Sequence, residues 1–186
     1  METYKGFSIE ITQDEYADSP RQWDNLGIMA CFHNRYNLGD KVDFKSADFD
    51  SWAEMRKHIE SEGAAAILTL RLYDHSGITL YVAGEGGYMQ HESWDSGQVG
   101  FIYATRAQIC KEYGVKRVSK KLLEKVYGIL RSEVKTYDQY LRGDVHSFSI
   151  DKDGEKVGSC SGYFGYEYCL QSAKDDIDQV HSVQAA

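Results

Sequence analysis

Between Ser119 and Arg142, the residues Leu122, Val126, Leu130, Val134, Tyr137 and Leu141 recur at three- or four-residue steps, the period of a helix with one apolar stripe. Ser119 stands where an N-cap is wanted, and Gly143 where a left-handed residue closes a helix. Such a helix must bury its stripe against another layer. The segments around it supply strands. "GFSIEIT" alternates Phe7, Ile9 and Ile11 with polar neighbours, and "LGIMACFH" and "QVGFIYA" are short and largely apolar. "AAAILTLRLY" and "GITLYVA", separated by "DHSG", predict a β-hairpin; a second is predicted around Asp153-Gly154.

Three more helices are expected. One runs from Phe49 to Glu62, capped by Asp48 or Asp50 and ended by Gly63; one starts at a Thr105/Gln108 capping box and ends at Gly114; the last covers "YEYCLQSAKDDIDQV". "GEGGYMQHESWDSG", with three clustered glycines, is expected to be a surface loop. Because the hairpins cluster, the expected fold is α+β. It is read as a single domain over 1–186, with an antiparallel or mixed β-sheet built from hairpins and helices packed on one face.

Composition fits that reading. The chain has 186 residues, 42% hydrophobic and 27% charged, enough for one ordinary core. With one proline, its turns must rely on Gly, Asn and Asp. No run of about 18 apolar residues offers a membrane span, and the opening "METYKGFSIEIT" does not read as a signal peptide. Cys31, Cys110, Cys160 and Cys169 show no C-x-x-C spacing, so reduced thiols in a cytoplasm are expected.

The net charge of −8 hides a division: Thr105 to Tyr137 holds nine Lys or Arg against three Glu, leaving −14 for the rest. An acidic remainder argues against general nucleic-acid affinity, with the basic helix 119–142 as a local exception.

No phosphate loop, dinucleotide turn, H-E-x-x-H helix or nucleophile elbow is present, and "DKDGEKVGSC" lacks the later ligands of a calcium loop. What recurs is an aromatic-Asp pair followed by Gly: "QWDNLGIM", "LYDHSGITL" and "SWDSGQVGF". Each Asp stands at a predicted strand edge. If the strands are neighbours, Asp24, Asp74 and Asp95 could converge, with His75 and His33 beside them, on a divalent cation: Mg²⁺, Mn²⁺ or Ca²⁺ with carboxylates alone, Zn²⁺ or Mn²⁺ with the imidazoles. Equally, Asp and Gly are turn residues, and Trp and Tyr would pack beneath three independent turns. Cys31 and His33, two apart in a predicted strand, would face the same way as thiol and base.

Taken in order, "EYADSPRQWDNLGIMACFHNRYNLGD", "LYDHSGITL", "WDSGQVGFIY", "KEYGVKRVSKKL", "TYDQYLRGDV" and "GSCSGYFG" resemble a family of small uncharacterised proteins of bacteriophages and other mobile elements. The chain departs from the family pattern at Ser161, where that pattern carries Trp. The resemblance implies an accessory protein of the host bacterial cytoplasm. Such proteins often inhibit host defence, so the expected partner is a host defence protein or nucleoprotein and the expected role a non-enzymatic anti-CRISPR or anti-restriction inhibitor. Trp23, Asn25, Trp94, Gln98 and Tyr163, which fall within these motifs, are the expected binding residues. The alternative is a metal-dependent hydrolase of a phosphate ester or nucleotide, with Asp24, Asp74 and Asp95 as ligands and His75 as acid/base.

Overall fold

The structure, a computed structural model, describes residues 1–87 and 94–184. In chain order the elements are β1 (Glu2–Tyr4), β2 (Phe7–Gln13), β3 (Ile28–Cys31), α1 (Trp52–Ser61), β4 (Ala64–Asp74), β5 (Ile78–Val82) and β6 (Ser96–Thr105), then α2 (Arg106–Glu112), α3 (Lys120–Leu141), β7 (Val145–Lys152), β8 (Glu155–Phe164) and α4 (Tyr166–Gln184). The fold is α+β. Its strands form two antiparallel four-stranded sheets, β1-β2-β7-β8 and β3-β6-β4-β5. Among the described residues no helix is long and apolar enough to cross a membrane. The expected glycine-rich loop falls partly on residues 88–93, outside the described residues.

Two compact units hold one sheet each: residues 1–19 with 139–186, and residues 20–138. In the first, β7 and β8 turn at Asp153 and Gly154, both at positive φ (52° and 87°), as a two-residue hairpin loop requires. Helix α4 lays Cys169, Leu170, Ala173 and Ile177 on Phe7, Ile9, Phe148 and Ile150, whose side chains share one sheet face. Each of the larger side chains contributes about 1.5–3 kcal/mol when buried. The alternate positions Thr12, Ser147, Ser149 and Ser159 are polar, so this sheet needs a helix on one face only.

In the second unit β6 is buried at every position from Val99 to Ala104, a pattern that demands cover on both faces. Phe101 and Tyr103 meet Met55 and Ile59 of α1. The stripe of α3 is buried at Val126, Leu130, Val134 and Tyr137, as its period predicts. Gly27 is squeezed where Leu130 and Ile102 meet: a Cβ there would stand 2.6 Å from Leu130 Cδ2 and 2.9 Å from Ile102 Cδ1.

Two local expectations need correction. Helix α1 is capped by Ser51, whose hydroxyl accepts from Glu54 N at 3.2 Å, and not by Asp48 or Asp50. Asp48 instead accepts from Lys45 N at 2.7 Å, closing the short 3₁₀ turn before the helix. Strand β3 ends at Cys31, so His33 lies outside it and the same-face spacing with Cys31 does not apply. The capping box of α2 and the Ser119 cap of α3 form as expected.

Candidate functional site

Strand direction decides which of the recurring aspartates meet. Strands β4 and β6 are antiparallel, with Tyr73 opposite Ser96, so the end of β4 and the start of β6 lie side by side. Asp74 N donates to the Asp95 carbonyl at 2.8 Å, and His75 Nδ1 stands 3.3 Å from Asp95 Oδ2. The Asp74 carboxylate accepts from the Arg35 guanidinium and, at 3.2 Å, from the Tyr36 hydroxyl. The bond from Arg35 to Asp74 raises the already high pKa of the guanidinium. His33 stacks on Tyr36 with ring centroids 5.0 Å apart, and its Nδ1 accepts from Arg35 N at 3.2 Å.

These groups border a surface depression of about 440 Å³ lined by His33, Arg35, Asp74, Trp94, Asp95 and Gln98. Trp94 is 97% exposed on its rim. Beneath the rim, buried Ser96 holds the start of β6: its hydroxyl and that of Tyr81 are 2.5 Å apart, and Arg71 Nη2 donates to its carbonyl at 3.1 Å. A buried polar network with its members paired fixes what it supports.

Asp24 does not join this group. Strand β3 runs antiparallel to β6 with Ile28 opposite Tyr103, so the residues before β3 lie at the far end of β6, about 23 Å along the strand from Ser96 at roughly 3.3 Å per residue. Asp24 borders a different depression, of about 590 Å³, with Asn25, Leu26, Gln108, Tyr113 and Glu133. The five expected metal ligands are therefore divided: Asp74, His75, Asp95 and His33 share one end of the sheet, and Asp24 sits at the other. Among the described residues no group of three or more His, Cys, Asp or Glu is placed to hold a metal ion. Asp74 is paired with the Arg35 guanidinium and Asp95 stands beside the His75 imidazole, next to an exposed indole.

The expected binding residues also separate. Trp94 and Gln98 share the depression above. Asn25 Nδ2 donates to Pro20 O at 2.8 Å and Trp23 O at 3.0 Å, so it closes the turn that leaves Trp23 half exposed. Tyr163 belongs to the other unit, where its ring packs against Phe148 and Tyr168 with centroids 5.4 and 5.8 Å away.

Burial, and then the Asp40 carboxylate, push the Cys31 thiol up to about 12. Its thiolate fraction at neutral pH is then on the order of a thousandfold below that of an ordinary cysteine. Iodoacetamide at neutral pH should therefore label exposed Cys160 readily and leave Cys31 intact, as read by peptide mass mapping of the folded protein; equal labelling of the two would contradict the assignment. All four cysteines are free thiols.

Sequence reasoning missed Arg35 and Tyr36, and an ion network centred on Arg21. Arg21 Nη2 contacts Asp40 at 2.6 Å and its Nη1 contacts Glu133 at 3.0 Å, with the arginine side chain only 6% exposed. Desolvation opposes the charge on Arg21, but the bonds to Asp40 and Glu133 outweigh it and its pKa is raised. Glu133 also accepts from Leu26 N and Gly27 N at 3.0 and 3.1 Å, and Asp40 from Met29 N at 2.7 Å. The only signal in the sequence is a Glu three residues after Leu130, beside the apolar stripe. No protein-family model matches this chain, and no curated protein or solved structure matches it either.

Proposed function

We propose that this chain is a non-enzymatic binding protein of a bacteriophage or other mobile element, of the anti-CRISPR or anti-restriction type. It docks onto a host nucleic-acid-handling effector in the bacterial cytoplasm. The observation that carries the reading is Trp94, 97% exposed over a depression in which the Arg35 charge is already met by Asp74. An indole held in water has its burial energy still to gain, and Trp is enriched among the residues that dominate interfaces. The −14 balance outside the segment Thr105–Tyr137 suits a basic nucleic-acid channel, where charge complementarity speeds encounter and suppresses wrong partners.

The test is phage plating on strains carrying defined CRISPR or restriction systems. The wild-type chain should raise plating on at least one defended strain. Trp94→Ala should weaken binding to the purified effector by about 30-fold or more, the roughly 2 kcal/mol of an interface anchor, while leaving the fold intact by circular dichroism. Unchanged plating on every defended strain would remove the anti-defence reading, and an effector bound equally well by Trp94→Ala would remove the site. The metal-dependent hydrolase alternative predicts bound metal by elemental analysis, and phosphatase or nuclease turnover with added Mn²⁺ or Mg²⁺. No observation of the geometry favours it.

A further inference from the structure

We propose that the segment from Arg106 to Lys125 is a second interaction surface, and that it binds the phosphate backbone of nucleic acid. It comprises α2, the connection after it and the first turns of α3. Arg106, Lys111, Lys116, Arg117, Lys120, Lys121 and Lys125 face only Glu112 and Glu124 within it, a net +5 in a chain of net −8. All seven cations are exposed. Among the described residues none of them forms an ion pair, whereas Lys5, Arg21, Arg35, Arg56, Arg131 and Lys174 each do. Lys125 lies over the Tyr113 ring at 4.8 Å, an aromatic contact that leaves its charge uncompensated.

This arrangement works against the fold that carries it. The first turn of α3 has no acidic residue and begins with Lys120 and Lys121, cations at the end of the helix where the macrodipole disfavours them. Lys121 and Lys125, four apart, repel on one helix face. In a chain with 29 acidic residues a folding or solubility role would be met by mixed charge. A clustered, unpaired row of Lys and Arg instead matches the regular row of phosphates on a polynucleotide, whose counterions it releases on binding.

The acidic balance elsewhere does not cancel the attraction. Asp74 and Asp95 lie at the start of β6 and Arg106 follows its last residue, so about 30 Å of strand separates them at roughly 3.3 Å per residue. That is several times the screening length of about 8 Å at physiological salt. The inference goes beyond the proposed function: one end of this unit would meet protein and the other nucleic acid.

The experiment needs no effector. Fluorescence anisotropy with a short labelled DNA single strand, and with a duplex of the same length, reads binding as a function of salt. The wild-type chain should bind at about 50 mM salt and lose on the order of a hundredfold in affinity by about 200 mM, the loss expected for some four phosphate contacts. The variant Lys116→Gln/Arg117→Gln/Lys120→Gln/Lys121→Gln should lose at least about tenfold at low salt and flatten the salt slope by roughly three, at 0.7–0.9 per contact. A control, Lys41→Gln/Lys45→Gln/Lys57→Gln/Lys135→Gln, makes the same change in net charge at exposed positions outside the segment and should bind like wild type.

Three results would overturn the proposal. They are absence of binding at low salt, equal losses in the two variants, and binding to phosphatidylcholine–phosphatidylserine vesicles in place of nucleic acid. The ratio of single-strand to duplex affinity assigns the form of nucleic acid.

Discussion

Replacing Arg21 by methionine should destabilise the unit of residues 20–138 by about 3–5 kcal/mol, the cost of removing one partner from a buried ionic group. The magnitude follows from what is left behind. The Asp40 and Glu133 side chains are 22% and 11% exposed, and without the guanidinium they are two carboxylates facing each other across a poorly solvated space. The Gly27 carbonyl, which accepts from Arg21 Nη2 at 2.6 Å, loses its donor as well. The backbone donors of Leu26, Gly27 and Met29 remain on the carboxylates, which places the expectation toward the lower end of the range. Urea unfolding followed by tryptophan fluorescence reads the change.

The companion variant separates burial of charge from packing. In Arg21→Met/Asp40→Asn/Glu133→Gln, the amide oxygens can still accept from the same backbone N–H groups while no charge stays buried. Replacing a whole buried ionic group by neutral side chains is often close to neutral. The triple variant should therefore recover at least half of the loss seen in Arg21→Met. If it is as unstable as the single variant or worse, the ion network stabilises through its own attraction and not through the avoidance of unpaired charge.

What could be read ahead of the structure was what depends on neighbours in the chain. The Ser119 cap, the Thr105/Gln108 box, the Asp153-Gly154 turn and the apolar stripe of α3 are each set by residues within four positions of one another, and each formed. The two sheets and the division of the aspartates depend on which strands pair and in what direction. Asp24 and Asp95 both precede a strand and look equivalent in sequence. Because β3 and β6 are antiparallel, two residues that both precede strands must lie at opposite ends, whereas Asp74, which ends a strand antiparallel to β6, must lie beside Asp95. Arg21 and Glu133 are 112 residues apart, and nothing in their local sequences links them. The aromatic-Asp-Gly recurrence suggested one site for all three members, and only Asp74 and Asp95 are neighbours.

Gly100→Ala should cost roughly 3 kcal/mol or more, at or beyond the usual range for overpacking, and should disable the Trp94 site along with the stability. Gly100 pairs on both sides, with Cys31 of β3 and Leu70 of β4. A Cβ there would overlap the Ala30 backbone carbonyl and press on Cys31 Cα, and a backbone group inside a sheet cannot turn aside as a side chain can. Strand β3 must move away from β6.

The consequence reaches the site because the pairing of β4 with β6 shifts register at this point. Leu70 faces Gly100 while Arg71 faces Gln98, leaving Val99 as the extra residue. Such a bulge re-aims the side chains beyond it, and here those are Gln98, Ser96 and the turn carrying Asp95 and Trp94. The Val99 carbonyl also accepts from Phe32 N at 2.7 Å, tying the bulge to the segment that leads into His33, Arg35 and Tyr36. Gly97→Ala is the control on the same strand. A Cβ at Gly97 meets nothing within 4 Å, so that variant should stay within about 0.5 kcal/mol of wild type. Loss of effector binding in Gly100→Ala beyond the loss expected from the unfolded fraction would tie the site to the bulge. A Gly100→Ala protein as stable as wild type would show that β3 and β6 are not held at the separation described.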